Sequence, residues 1–234
     1  MPAEPSRLVD LNADLGEEVT DDEGLLAVVA SANVACGFHA GTPETMRAVC
    51  AEAARRDVVV GAQVSYRDRA NFGRVARDVG PDVLREQVSE QVGVLSEIAA
   101  AEGTRVRYVK PHGALYHRVT DDDEQASAVL AGSGELAVLG FPGSRLLALG
   151  VAAGRATYTE GFPDRGYAAG RLVARGRPGA LLEDVDAIAD QATRLAGTVA
   201  SLCVHGDSPA AVARARAVRR ALEAASYTVA PFLS

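Results

Sequence analysis

The chain has 234 residues, 48% of them hydrophobic, with 24 basic against 31 acidic side chains and a formal net charge of −7. That is enough apolar material for one sizeable core, a single domain over 1–234, and too little positive charge for a nucleic-acid or anionic-membrane face. No secretory pattern opens MPAEPSRLVD, no run reaches the ~18 apolar residues of a membrane span, and the three cysteines have unrelated spacings, so a soluble cytoplasmic protein is expected.

The first predicted strand, RLVDLNA (7–13), runs into DLNADLGEE. Asp10, Asn12 and Asp14 alternate on one face, with Leu11, Ala13 and Leu15 on the other. Three polar groups on one strand face need water, partners, a metal, or an exposed edge. A calcium loop fails here, because Leu15 takes the glycine position and Asp21 the final glutamate position. The second strand, SANVAC (31–36), leads to His39, with Thr42 and Pro43 placed as N-cap and first residue of a helix over 43–56. A third strand, VVVGAQV (58–64), precedes SYRDRANFGRVARDVG (65–80), a polar stretch of the length expected for a lid. Leu84, Val88, Val92, Leu95 and Ala99 then recur at helical spacing within 82–102.

The fourth strand, VRYVK (106–110), ends in Lys110, Pro111 and His112. Lys110 is the one lysine among 24 basic residues, which marks either a need for a compact ammonium rather than a planar fork, or a solvated surface charge. His117 lies beyond this junction and is expected on a helix surface. A helix over 122–131, a strand over 136–140 and a helix over 143–153 follow. The strand ATYTEG (156–161) presents Glu160 at its end, then Asp164 and Arg165 in a turn-prone loop that either holds substrate or forms a surface ion pair. After a helix over 182–198, the strand ASLCVH (200–205) closes on His205 and Asp207, and Ser208–Pro209 caps a helix over 209–225; a last short strand lies in YTVAPF.

This alternation predicts parallel strands covered by helices, in a barrel or a doubly wound sheet. No glycine-rich dinucleotide fingerprint follows the first strand, which favours a single TIM-like (β/α) barrel, with seven strands counted before the last short one. In such a barrel every strand-to-helix junction lies on one face, so His39, Lys110, His112 and His205 gather there, beside helix N-termini suited to an anion. Val109 before Lys110 rules out a Walker-type phosphate loop, and there is no G-x-S-x-G elbow. Cys36 is expected as a small buried hydrophobe.

Taken together, DLNADLGE, ANVACGFHAG, VKPHGALY, EGFPDRGY and CVHGDSP resemble the LamB/YcsF family in order, spanning residues 10 to 209. The resemblance implies a barrel related to the glycoside hydrolase/deacetylase superfamily. It also implies ATP-dependent opening of 5-oxo-L-proline to L-glutamate by a 5-oxoprolinase, in which the family supplies the A component beside 5-oxoprolinase subunits B and C. Two departures stand out: GEEVTDDEG replaces the family's glycine-rich GEGFG, and Gln63 in GAQVSYRD stands where the family often has histidine.

In that chemistry ATP, carried with Mg2+, phosphorylates the lactam oxygen, and Lys110 and Arg165 are the cations expected around the phosphoryl group. Asp14, His39 and His112 are the candidate bases, giving a catalytic set of Asp14, His39, Lys110 and His112. Asp10, Asn12, Glu17, Asn33, Glu160, Asp164, Arg165, His205 and Asp207 form the candidate substrate- and phosphate-binding set. Two rivals remain: a hydrolase or deacetylase holding a divalent metal on Asp14, His39 and His112, and a non-catalytic substrate-binding component. The sequence leaves homo-oligomer formation open.

Overall fold

The structure, a computed structural model, describes residues 7–19, 21–207 and 210–233. Alternating polar and apolar side chains make β1 (Arg7–Leu15) a strand buried on both faces from Val9 onward. It pairs in parallel with β2 (Ser31–Ala35) through Asn12–Leu15 and with β9 (Ser201–Val204) through Asp10–Ala13. Between them the order runs through β3 (Val59–Val64), β4 (Val106–Pro111), β5 (Ala137–Gly140) and β6 (Thr157–Gly161), closing a parallel barrel of seven strands. The predicted barrel is therefore the observed one. The last short strand, β10 (Tyr227–Val229), stays outside the ring and pairs with Arg7–Val9, the start of β1.

The helices are α1 (Asp22–Leu26), α2 (Pro43–Arg56), α3 (Pro81–Ala101), α4 (Gly113–Asp121), α5 (Asp123–Gly132), α6 (Arg145–Ala152), α7 (Val185–Ala196) and α8 (Ala211–Ala224). Thr42 caps α2 as expected, accepting from the Thr45 amide while Thr45 returns a bond to the Thr42 amide, and Pro43 opens the helix. The corresponding Ser208–Pro209 cap lies outside the described residues, and α8 begins at Ala211. Besides α1, a helix of five residues too short to show a periodicity, two features escaped the sequence reading. One is α4, hidden behind the Pro111–His112–Gly113 run that reads as a loop; the other is the hairpin of β7 (Tyr167–Ala168) and β8 (Arg171–Leu172), too short to show an alternation.

Leu11, Ala13 and Leu15 face the surrounding helices and are fully buried, whereas Asp10, Asn12 and Asp14, no more than 4% exposed, point into the ring. An exposed edge is thus not the reason for the polar face. Near the N-terminal end of the ring the interior is filled by the Tyr108 ring, which fits because position 61 has no side chain: a Cβ there would lie 2.2 Å from the phenol carbon. Phe232 packs edge-on against Tyr108 with ring centroids 5.0 Å apart and also touches Tyr158, so the C-terminal segment plugs this end. The opposite, C-terminal end of the barrel is left for chemistry.

Candidate active site

Inward-pointing side chains build the site in tiers. In the lower tier the Ser31 hydroxyl donates to Asp10 at 2.7 Å and the Ser201 hydroxyl donates to its other oxygen. Asn12 donates to Ser201 and accepts from Asn33, each at 2.6 Å, and the Tyr108 hydroxyl donates to Asn33 at 2.6 Å. Burial without a cation raises the Asp10 carboxyl to about 7, the serine bonds offsetting part of that effect.

The upper tier centres on Lys110. Its ammonium lies 3.0 Å from Asp14, 3.0 Å from Glu160 and 3.1 Å from the Cys203 sulfur. Burial opposes its charge, yet the two carboxylates hold its pKa well above the ordinary lysine value. Burial likewise disfavours the Asp14 carboxylate, but Lys110 first, then His205 and His112, pull its pKa below the usual range. Glu160, fully buried, is raised because burial outweighs Lys110. Asp14 and Lys110 therefore form a fixed ion pair, with Asn33 donating to the same Asp14 oxygen at 2.9 Å.

Above this pair opens a cavity of about 380 Å³ lined by Asp14, Lys110, His112, Tyr116, Phe162 and His205, with an arginine-rich outer wall. His205 is oriented from behind: its Nδ1 lies 2.9 Å from both Asp164 oxygens, its backbone amide donates to Asp164 at 3.0 Å, and Phe162 stacks on its ring. Burial works against the Asp164 charge, but His205 foremost keeps its pKa below the usual carboxylate value. With Nδ1 committed to a carboxylate, the other ring nitrogen is the one left for the cavity, as a base oriented by an acid requires.

His112 also lines the cavity, but as one wall of a second cluster. Its ring stacks on His39 with centroids 4.0 Å apart. The Gln63 amide joins the cluster: its oxygen lies 3.2 Å from His39 Nε2, and its nitrogen donates to Glu17 at 3.1 Å and to His112 Nδ1 at 2.9 Å. His112 Nε2 therefore carries the proton, donated to the Phe72 carbonyl at 3.1 Å. Burial and the adjacent His39 hold the His112 pKa well below the ordinary histidine value, so this ring is neutral.

The sequence matches the profile of the LamB/YcsF family over residues 9–234. The chain belongs to the LamB/YcsF family. It is 53% identical to the 5-oxoprolinase A subunit of Streptomyces avermitilis across 96% of this chain and 100% of that protein, and 50% identical to that of Streptomyces coelicolor over the same shares. Among solved structures, the lactam utilization protein of Thermus thermophilus superposes with a TM-score of 0.89 at 34% identity, covering 95% of this chain and 99% of that one.

Set on this family frame, the predicted residues divide into groups. Asp14, Lys110, His112, Arg165 and His205 line one cavity. His39 does not line it: it is 1% exposed and lies behind His112, so it cannot take a proton from anything bound there. Asp10, Asn12 and Asn33 belong to the tier below and hold the strands in register rather than touching a ligand. Glu160 backs Lys110, Asp164 backs His205, and Asp207 takes Arg74 at the rim. The Arg165 guanidinium, expected to be free for a phosphoryl group, donates to the carbonyls of Ala180 at 3.0 Å and Val173 at 2.7 Å, bracing its own loop. Arg74, Tyr116, Arg171 and Arg175 line the cavity unforeseen, as does His117, which is exposed on α4 yet reaches the mouth.

The metal set also changes. Asp14 is taken by Lys110 and Asn33; it is Glu17 that completes a group with His39 and His112, with donor atoms within 4.8 Å of one another. One carboxylate and two imidazoles suit a divalent transition metal in kind. In this chain, however, the donor atoms of Glu17 and His112 are both tied to the Gln63 amide nitrogen, which cannot ligate a metal, and that of His39 to the amide oxygen. The residues as arranged do not fit a bound ion. Gln63 is the reason.

Proposed function

We propose that this chain is the A component of an ATP-dependent 5-oxoprolinase, opening 5-oxo-L-proline to L-glutamate together with subunits B and C. The observation that carries the reading is the match, over nearly the full length of both proteins, to relatives named as the A subunit of 5-oxoprolinase. The cavity supports it. A lactam is a resonance-stabilised amide that water attacks poorly, so the γ-phosphoryl group of ATP, delivered with Mg2+, passes to the lactam oxygen and ADP departs. Water then adds to the activated carbon, the C–N bond breaks with a proton reaching nitrogen, and a second water cleaves the acyl phosphate to glutamate and phosphate.

His205, oriented by Asp164, takes the proton from the attacking water and returns it to the departing ring nitrogen. This replaces Asp14, His39 and His112 as the base: Asp14 is locked to Lys110, His39 is shut away from the cavity, and the His112 Nδ1 lone pair is used by Gln63. Lys110 faces the cavity as a permanent positive charge against which charge developing on the phosphorylated oxygen is stabilised. The divalent-metal hydrolase reading gains no support, because Gln63 satisfies the donor atoms that it needs.

The deciding experiment combines this chain with subunits B and C, ATP and 5-oxoproline. Glutamate formation that needs all three proteins and stops with Lys110→Met is expected. Full turnover by B and C without this chain would refute the assignment.

A further inference from the structure

The outer wall of the cavity carries charge to which the ring-opening steps give no task. Five cationic side chains, Arg74, Lys110, Arg165, Arg171 and Arg175, line it against a single carboxylate, Asp14. Lys110 is matched by Asp14 and Glu160, Arg171 by Asp121, and Asp164 is spent on His205. Among the described residues the other three arginines have one carboxylate within ion-pair distance, Asp207, while the Asp164 charge acts on Arg165 and Arg175 from behind His205. Arg74 and Arg175 converge on the same oxygen of Asp207, the second at 3.6 Å. Arg165, 2% exposed, gives its N–H groups to carbonyls and has no carboxylate within ion-pair distance among the described residues.

Carbonyls satisfy N–H groups without neutralising them, and a buried unpaired charge is costly. Burial and the nearby Arg175 push the Arg165 pKa below its ordinary value, the sign of crowded positive charge. The groups come from three connections: Arg74 lies between β3 and α3, Arg165 and Arg175 between β6 and α7, and Asp207 between β9 and α8. An anion placed here would tie three parts of the rim together.

We propose that Arg74 and Arg175 form a subsite for a polyphosphate chain, with the buried Arg165 guanidinium adding positive charge behind them, and that the Asp207 carboxylate holds its mouth until the ligand's own oxygens replace it. The assignment rests on the ATP-dependent reading above and deepens it by placing the phosphates on this chain. Once Asp207 is displaced, two guanidinium forks backed by a third positive charge can engage several oxygens at once, which suits a phosphate chain better than a single carboxylate.

The test is calorimetric titration of the full chain with inorganic pyrophosphate and, separately, with 5-oxoproline. Wild type binds pyrophosphate, Arg74→Gln and Arg175→Gln each weaken it by about tenfold or more, and Asp207→Asn strengthens it by roughly tenfold. The affinity for 5-oxoproline stays within about twofold throughout. No pyrophosphate binding by wild type, or binding indifferent to the arginine substitutions, overturns the subsite. Unchanged or weaker binding by Asp207→Asn overturns the role given to that carboxylate. Loss of 5-oxoproline affinity in Arg175→Gln with pyrophosphate affinity intact marks a carboxylate site and overturns the assignment too. The expected pyrophosphate pattern without glutamate formation when all three proteins are combined would instead refute the ring-opening reading and leave the subsite standing.

Discussion

Asp10→Asn probes the barrel interior through the pH dependence of stability. Asp10 is 1% exposed, accepts from two serines and has a pKa raised from the ordinary 3.8 to about 7. An acid raised on folding binds its proton more tightly in the folded state. Its contribution is therefore fully present below the unfolded value and is lost as pH rises toward about 7. Between pH 5 and pH 8 the folded form gives up about two pH units of proton affinity, roughly 3 kcal/mol. Asparagine does not titrate, so the variant escapes that loss, although one serine bond is compromised at about 1 kcal/mol. The variant should thus gain roughly 3 kcal/mol on wild type from pH 5 to pH 8, read as the difference between urea unfolding free energies at the two pH values. A wild-type-to-variant difference that stays constant with pH, or moves the other way, would refute the assignment of a proton to this carboxyl.

Lys110→Met leaves Asp14 and Glu160 buried without their cation, and should cost about 3–5 kcal/mol in urea unfolding as well as the coupled reaction. Asp164→Asn keeps the shape beside His205 but removes the orienting charge; glutamate formation by the assembled enzyme should fall by roughly 10²–10⁴-fold with pyrophosphate affinity retained. Gly61→Ala drives a methyl into the Tyr108 ring and should lower stability by about 1–3 kcal/mol, whereas Gly93→Ala, with nothing near the added carbon, should not destabilise.

The barrel was legible because strand and helix runs alternate, and because a histidine or lysine closes several of the apolar runs. The tiers inside it were visible only in β1. The same period-two pattern runs through Ser31–Asn33, Gly61–Gln63, Tyr108–Lys110, Tyr158–Glu160 and Ser201–Cys203–His205, but in such short strands, buried or half-buried on both faces, it is masked. Which histidine faces the cavity could not be read from its place at a strand end. His39 and His205 close similar runs, yet one turns inward behind His112 and the other stands at the mouth, because Asp164 holds it there. The ion pairs at the rim join residues as far apart as Arg74 and Asp207, and no local pattern records such a pairing.

The polar stretch over 65–80, of a length suited to a lid, proves to be fastened down. The Phe72 carbonyl receives His112, the Gly73 carbonyl receives the Ala114 amide at 2.8 Å, and a Cβ on Gly113 would collide with that same carbonyl at 2.4 Å. This side of the entrance is a rigid doorframe. A phosphorylated intermediate formed inside would need its protection from stray hydrolysis elsewhere, from the hairpin side or from a neighbouring protein seated over the opening. If the proposed ring opening holds, such a division of labour gives a physical reason for this barrel to work beside other subunits.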